Sequence, residues 1–258
     1  MSQSKPLLTA RNIRKTFGTK KQPIEVLKGL DLNVEAGEFV GIMGPSGAGK
    51  TTFMNVLASI DTATSGSIVI DGSDVTAMRD KRLSEFRRKE LGFIFQDYNL
   101  LETLTAKENI LLPMSLGGHA KKDVEATYAR LANTFDIAHV ANQYPHELSG
   151  GQKQRTSAAR ALIHEPKILF ADEPTGALDS KSAAVLLGKM EELNRQNGVT
   201  IMMVSHDPLA SSYCSRVLFL QDGRLYTELH RGGRSRQAFF NDILNVQGVL
   251  GGTIHEVK

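Results

Sequence analysis

The sequence predicts an α/β fold: a parallel-sheet core, an antiparallel β subdomain on its N-terminal side, and an α-helical subdomain inserted into the middle of the chain. Three observations predict it. The stretch "EFVGIM" reads as a short buried strand that runs into the glycine loop "GPSGAGK" and then into the helical pattern "TTFMNVLASI", the opening of an α/β unit. Two more buried-type strands, "KILFAD" and "TIMMVS", end in polar residues and flank the helix "KSAAVLLGKMEELNRQN". Between residues 97 and 163 strand patterns give way to helical periodicity, in "KKDVEATYARLANTFDI" and "GQKQRTSAARALI".

In chain order, "LLTARNIRKTF", "IEVLKGLDLNVEAGEFVGIMG" and "SGSIVIDGSDV" are alternating or β-branched and separated by Gly, Asp and Lys turns, with "IDGSD" a hairpin turn. After the α/β core, "RVLFLQDGRLYTEL" forms a second hairpin about Asp222 and Gly223. The remaining tail carries one short amphipathic helix. The expected organisation is a single unit over 1–258, with 1–96 and 164–229 β-rich and core, 97–163 helical, and 230–258 a helical tail. No internal repeat or low-complexity segment interrupts it.

A chain of 258 residues buries a substantial core without metal or disulfide staples. With 31 Lys and Arg against 28 Asp and Glu, and no long single-sign block, the charge pattern argues against wrapping nucleic acid or coating a membrane. Cys214 stands alone, which fits a reducing compartment and a small filler on a helix. "MSQSKPLLTA" lacks the apolar core of a signal peptide, and nowhere do eighteen apolar residues run together, so a soluble cytoplasmic chain is expected.

Chemistry enters at "GPSGAGKT", which matches G-x-x-x-x-G-K-[ST] between a strand and a helix. Such a P-loop (Gly44, Pro45, Ser46, Gly47, Ala48, Gly49) curls consecutive backbone N–H groups around a phosphate, and the helix opened by Lys50, Thr51 and Thr52 adds unpaired donors and its positive dipole end. Lys50 neutralises β- and γ-oxygens, and Thr51 offers its hydroxyl to Mg²⁺, which takes oxygen ligands. "ILFADEP" carries Asp172 and Glu173 to a strand's C-terminal end, where ligands of open α/β sheets bind. Asp172 is expected to hold Mg²⁺ through water, and Glu173 to polarise the water that attacks the γ-phosphorus. His206, at the end of "TIMMVSH", lies beside the same sheet edge within reach of the γ-phosphate or that water. The other histidines, His119, His139, His146, His164, His230 and His255, read as surface or satisfied-core residues, and Met202 and Met203 as core.

A second glycine-rich stretch, "LSGGQKQR", places Ser149 as a helix N-cap with Gly150, Gly151 and Gln152 behind it. Small residues at free helix-end amides make an anion receptor. The order of motifs is then the P-loop at 44–51, Gln96 closing "LGFIFQ", "LSGGQ", "ILFADEP", "GALDS" with Asp179, and His206. That order resembles the ATP-binding subunit of ABC transporters along nearly the whole chain.

The resemblance implies a P-loop NTPase (RecA-like) core that hydrolyses ATP with Mg²⁺. It also implies an ATP-dependent head-to-tail dimer in which each signature loop closes over the nucleotide of the second copy, so that two glycine sites serve two shared ATPs. Phe17 in "KTFG" resembles the aromatic that stacks on adenine, Gln96 the loop glutamine that reaches Mg²⁺, and Asp179 the residue that links the two sites. Tyr98, Glu102 and "TLTAKENI" fall where the family receives a cytoplasmic helix of its transmembrane permease.

"FRRKELGFIFQDYNLL" is similar to subunits of macrolide-efflux, lipoprotein-release and antimicrobial-peptide systems. "ADEPTGALDSKSA", "SHDPLASSYCSRVLFLQDGRLYTEL" and "RQAFFNDILNVQGVLGG" look like the Bce-type subunits of resistance to bacitracin and related peptides. That implies a place on the cytoplasmic face of the cell membrane, and a sensor histidine kinase reached through the permease. The cluster Arg231, Arg234 and Arg236 reads first as a solvated turn, with contact to lipid headgroups or the permease as the alternative. One cassette without sustained heptads argues against a soluble ABC-type ATPase acting on ribosomes or nucleic acid, and Glu173 with His206 argues against a non-enzymatic nucleotide sensor.

Overall fold

The computed structural model describes residues 5–19, 21–115 and 121–251, with backbone alone for 121–123. The first strands, β1 (Leu8–Thr19) and β2 (Gln22–Val34), pair antiparallel. Strand β3 (Phe39–Met43) is buried along its whole length and delivers the chain into the P-loop and α1 (Lys50–Leu57). Strands β4 (Ser65–Ile70) and β5 (Ser73–Asp74) form the expected hairpin, with Asp71 and Gly72 both at positive φ as a primed turn requires. Helix α2 (Asp80–Glu90) then leads into β6 (Leu91–Ile94).

After β6, an irregular stretch over 95–105 leads into helical elements alone, with no strand among the described residues before β7: α3 (Ala106–Ser115), α4 (Lys121–Thr134), two short 3₁₀ turns, and α5 (Gly150–Leu162). The sheet resumes with β7 (Ile168–Asp172), α6 (Ser180–Asn197), β8 (Thr200–Val204) and the single turn α7 (Pro208–Ser211). The chain closes with the hairpin β9 (Arg216–Gln221) and β10 (Arg224–His230), turning at Asp222 and Gly223, and with α8 (Arg236–Leu250). Two expectations change here. The tail helix has 15 residues rather than being short. Cys214 lies in the bend between α7 and β9, not on a helix, because Pro208 starts a helix that ends after one turn.

Two sheets result. One is antiparallel, in the order β2-β1-β4-β5; the other has six strands in the order β10-β9-β3-β8-β7-β6, parallel except for β10. The parallel strands are apolar on both faces because both faces are covered. In β7, Ile168 and Phe170 join one core with Phe53 of α1, whereas Leu169 and Ala171 join the other with the helices. Met202 and Met203 of β8 divide the same way, one into each core. This period-two division fixes where the polar ends emerge: Asp172 ends β7, and Ser205 and Gly44 follow the C-terminal ends of the adjacent parallel strands β8 and β3.

Candidate active site

The P-loop is shaped by residues that tolerate positive φ. Gly47 sits at φ 78° with open space where a Cβ would stand, so its backbone faces outward unobstructed. Gly49, at φ 93°, is the left-handed residue from which α1 starts, and a Cβ there would meet Leu27 at 3.0 Å. Lys50 folds its ammonium over the loop, donating to the carbonyls of Gly44 and Pro45, each at 2.9 Å. Ala48 is buried, whereas Pro45, Ser46 and Gly47 are exposed along the rim and Thr52 is half-buried behind Thr51.

At the end of β7, Thr51 Oγ1 lies 3.3 Å from Asp172 Oδ1. Burial raises the Asp172 carboxyl above its usual range; the Thr51 hydroxyl pulls it back, Glu173 pushes it up and Lys50 down. Two hard oxygen donors, one of them a carboxylate short of positive charge, suit a small divalent cation whose remaining ligands are water and phosphate. Among the described residues no group of three or more His, Cys, Asp or Glu could hold a metal by itself.

Glu173 follows Asp172 in a conformation that non-glycine residues rarely adopt, φ 45°, and it precedes Pro174. Such a residue stores ~1–3 kcal/mol of backbone strain and persists only where its surroundings hold it. The Glu173 amide donates to Val204 at 3.0 Å, and Gly176 donates to the Glu173 carbonyl at 2.9 Å. Its Oε1 lies 2.9 Å from His206 Nδ1, while the buried Oε2 has no hydrogen-bond partner among the described residues. His206 is mostly exposed at the mouth of the sheet edge.

Ser149 caps α5: its hydroxyl accepts from Gln152 N at 3.3 Å, and Gln152 Oε1 accepts from Ser149 N at 2.8 Å. Within this one chain the signature glycines meet the 177–182 segment. A Cβ on Gly150 would touch Tyr98 Oη at 3.1 Å, and one on Gly151 would meet Ser182 Oγ at 2.8 Å. Asp179 caps α6, accepting from Lys181 N, Ser182 N and the Ser182 hydroxyl, so both its oxygens serve its own helix. The Ser182 hydrogen bonds hold its carboxyl below the usual range.

Gln96 lies against Gly176, where a Cβ would stand 3.2 Å from its amide. Tyr98 turns inward, with its hydroxyl 3.5 Å from the Ala177 carbonyl, while Glu102 is exposed. Phe17 is exposed, 42%, with Lys15 Nζ 4.7 Å from its ring centroid.

Arg234 and Arg236 are exposed, as expected of a solvated turn, whereas Arg231 is half-buried. Arg231 pairs with Glu191 at 3.0 Å, Arg234 with Asp242, and Arg236 lies over the Tyr213 ring. His139 and His146 are exposed, and His230 meets Glu228 at 3.3 Å. His164 faces the Leu91 carbonyl at 3.0 Å. His119 and His255 lie outside the described residues.

Sequence reasoning named Tyr98 by resemblance alone and passed over Asn99, Ser157, Arg160 and Gln154, which build the site. Tyr98 and Asn99 both sit at positive φ, and their carbonyls are gripped by Ser157 and Arg160 of α5. Gln154 is fully buried between two loops. Its signal was available, a polar residue on the face of α5 that carries Ala158 and Ala161 into the core.

A phosphate-shaped loop, an oxygen pair for a cation and a carboxylate with a free oxygen, at adjacent ends of parallel strands, define a P-loop ATPase. Residues 27–176 match the family described as "ABC transporter", and the chain belongs to that family. It is 59% identical over 246 residues to the bacitracin export ATP-binding protein BceA of Halalkalibacterium halodurans, covering 95% of this chain and 97% of that one. The lipoprotein-releasing system ATP-binding protein LolD of Porphyromonas gingivalis is 42% identical, matched along 100% of its length by 86% of this chain. The dimeric post-hydrolysis structure of the ATP-binding cassette MJ0796, bound to ADP and Pi, superposes with TM-score 0.80 at 36% identity, over 88% of this chain and 99% of that chain.

Proposed function

We propose that this chain is the ATP-hydrolysing subunit of a transporter for resistance to, or sensing of, cell-wall-directed peptides such as bacitracin. The observation that carries the reading is the 59% identity to a bacitracin export subunit along 95% of the chain. The lipoprotein-releasing relative, complete within 86% of this chain, leaves more of it unmatched. The chain acts as one nucleotide-binding domain at the cytoplasmic face of the membrane. No helix among the described residues is long and apolar enough to cross a bilayer, so transport requires a transmembrane permease, and a sensor kinase is reached through that permease.

Two copies pack head to tail, each P-loop receiving a nucleotide that the other copy's Ser149, Gly150 and Gly151 close over. Thr51 and Asp172 would hold Mg²⁺, with Gln96 in reach, and the ion would supply charge neutralisation for phosphoryl transfer. Phe17 stacks on adenine, and Lys50 draws the γ-phosphate against the loop. Glu173 takes the proton of the attacking water as it adds in line to the γ-phosphorus, and His206 orients the carboxylate and γ-phosphate. ADP leaves with the cleaved P–O bond electrons. Asp179 ties the two sites together.

The test uses tagged Glu173→Gln chain expressed in its own host, purified from solubilised membranes in ATP and Mg²⁺. Recovery of a permease with a large extracellular domain, with peptide susceptibility on deletion, is expected. Recovery of ribosomes or DNA without any membrane protein would overturn the reading.

A further inference from the structure

Gln154, five residues after the cap Ser149, has 0% exposure and an unusual pair of partners. Its amide nitrogen lies 3.1 Å from the Phe95 carbonyl and 2.8 Å from the Pro174 carbonyl. Both are acceptors only, which fixes the amide: its two N–H bonds point to them and Oε1 faces away, without a partner among the described residues. Phe95 immediately precedes Gln96, and Pro174 immediately follows Glu173. One side chain therefore bonds the loop of the cation-seeking glutamine to the turn of the base, and it does so from the helix that begins at the signature loop.

The turn needs such a restraint. Glu173 is at φ 45° before a proline, and its own peptide groups are held by the end of β8 at Val204 and, within the turn, by Gly176. The bond from Gln154 is the one described hydrogen bond tying the next carbonyl to α5. Losing the amide takes this donor from the buried Pro174 carbonyl and leaves the Phe95 carbonyl with Tyr98 N alone, at 3.3 Å, and the turn is then free to relax from its strained geometry. Movement of α5 as the signature loop meets a nucleotide is passed through the same amide to both loops at once.

We propose that Gln154 is a positioning residue for hydrolysis, holding the Glu173 turn and the Gln96 loop in register with the signature helix. This rests on the reading of Glu173 as the base.

The experiment compares the full wild-type chain with Gln154→Met, which keeps volume and removes both donors, and with Gln154→Asn, which keeps the amide on a shorter stem. At saturating Mg²⁺ and ATP, kcat is expected to fall ~10- to 10²-fold, as for a misplaced catalytic group, with KM for ATP unchanged. Hydrogen exchange at the Gly176 amide is expected to quicken in both variants, and adding Gln154→Met to Glu173→Gln is expected to cost nothing further. Unchanged kcat per folded molecule, a rise in KM alone, or losses that multiply fully in the double variant would overturn the proposal. The two readings fail separately: wild-type turnover by Glu173→Gln overturns the base assignment. An inactive Glu173→Gln beside a fully active Gln154→Met overturns only the positioning role.

Discussion

His206 Nδ1 stands 2.9 Å from Glu173 Oε1, although the two residues are 33 positions apart and belong to the ends of different strands. An ionised carboxylate only accepts, so Nδ1 donates and the bond orients the carboxylate with Oε2 left without a partner among the described residues. Glu173→Gln is expected to lower turnover ~10²- to 10⁴-fold with ATP binding and ATP-dependent dimerisation intact. His206→Ala is expected to lower it ~10²- to 10³-fold, the scale of one lost transition-state donor, with little change in Tm because its ring is mostly exposed. Phosphate release and size exclusion in ATP read both. Equal turnover in either variant would remove that residue from the chemistry.

Lys50 makes its hydrogen bonds to two loop carbonyls and to nothing in the core. Lys50→Ala should therefore leave the fold and its cooperative unfolding intact. A hydrogen bond to a charged group is worth ~1.5–3 kcal/mol, so ATP affinity is expected to fall ~10- to 10²-fold. Titration calorimetry measures it, and unchanged affinity would mean that the backbone amides alone hold the phosphates.

Asp172 gives a pH dependence with a definite sign. Burial raises its folded-state pKa above the unfolded one, so the folded chain binds that proton more tightly. Stability of the nucleotide-free protein then falls as pH rises through the unfolded value and stays lower above the folded one. Asp172→Asn is expected to raise Tm at neutral pH, to leave it unchanged in acid, and to cut Mg²⁺-dependent hydrolysis ~10- to 100-fold, as for an outer-shell ligand. A lower Tm for Asp172→Asn at neutral pH would show that local hydrogen bonding outweighs burial at this carboxyl.

Local pattern made most of the fold legible. The buried strands end where their apolar runs end, and both hairpin turns fall on Asp-Gly pairs. Helices α2 and α3 were less visible. Helix α2 has no buried residue and so no apolar stripe, and α3 contains Pro113. Side-chain destinations were hidden for a different reason. Whether Tyr98 faces a groove or Ala177 depends on two successive left-handed residues clamped by Arg160, 61 and 62 positions away, a contact no spacing encodes. Likewise Arg231 read as solvated because its partner Glu191 lies on α6, 40 positions away.

Arg231 is the hinge pin of the tail, and Cys214 reports on it. The guanidinium bonds Glu191 at 3.0 Å and reaches the carbonyls of Ser212 and Tyr213, so it fastens the start of the tail to α6 and to the bend that carries the thiol. Each partner is about a fifth exposed, with 19% and 18% of its side-chain surface open. Breaking the pair is therefore expected to cost about 1–3 kcal/mol, between a surface pair and a fully buried one. Cys214 is 0% exposed, and burial pushes its thiol far up, with Arg231 drawing it down and Glu191 up. Native wild-type chain should resist iodoacetamide while the urea-unfolded chain reacts, because the thiolate is the nucleophile and neither it nor a path to it exists in the fold. Arg231→Met removes the charge that favours the thiolate, so chemistry alone would slow the reaction further. Faster alkylation in that variant can come only from more frequent opening of the bend, and its rate then measures how tightly the tail is fastened. Rapid labelling of the native wild-type thiol would mean that this end of the core opens without losing Arg231.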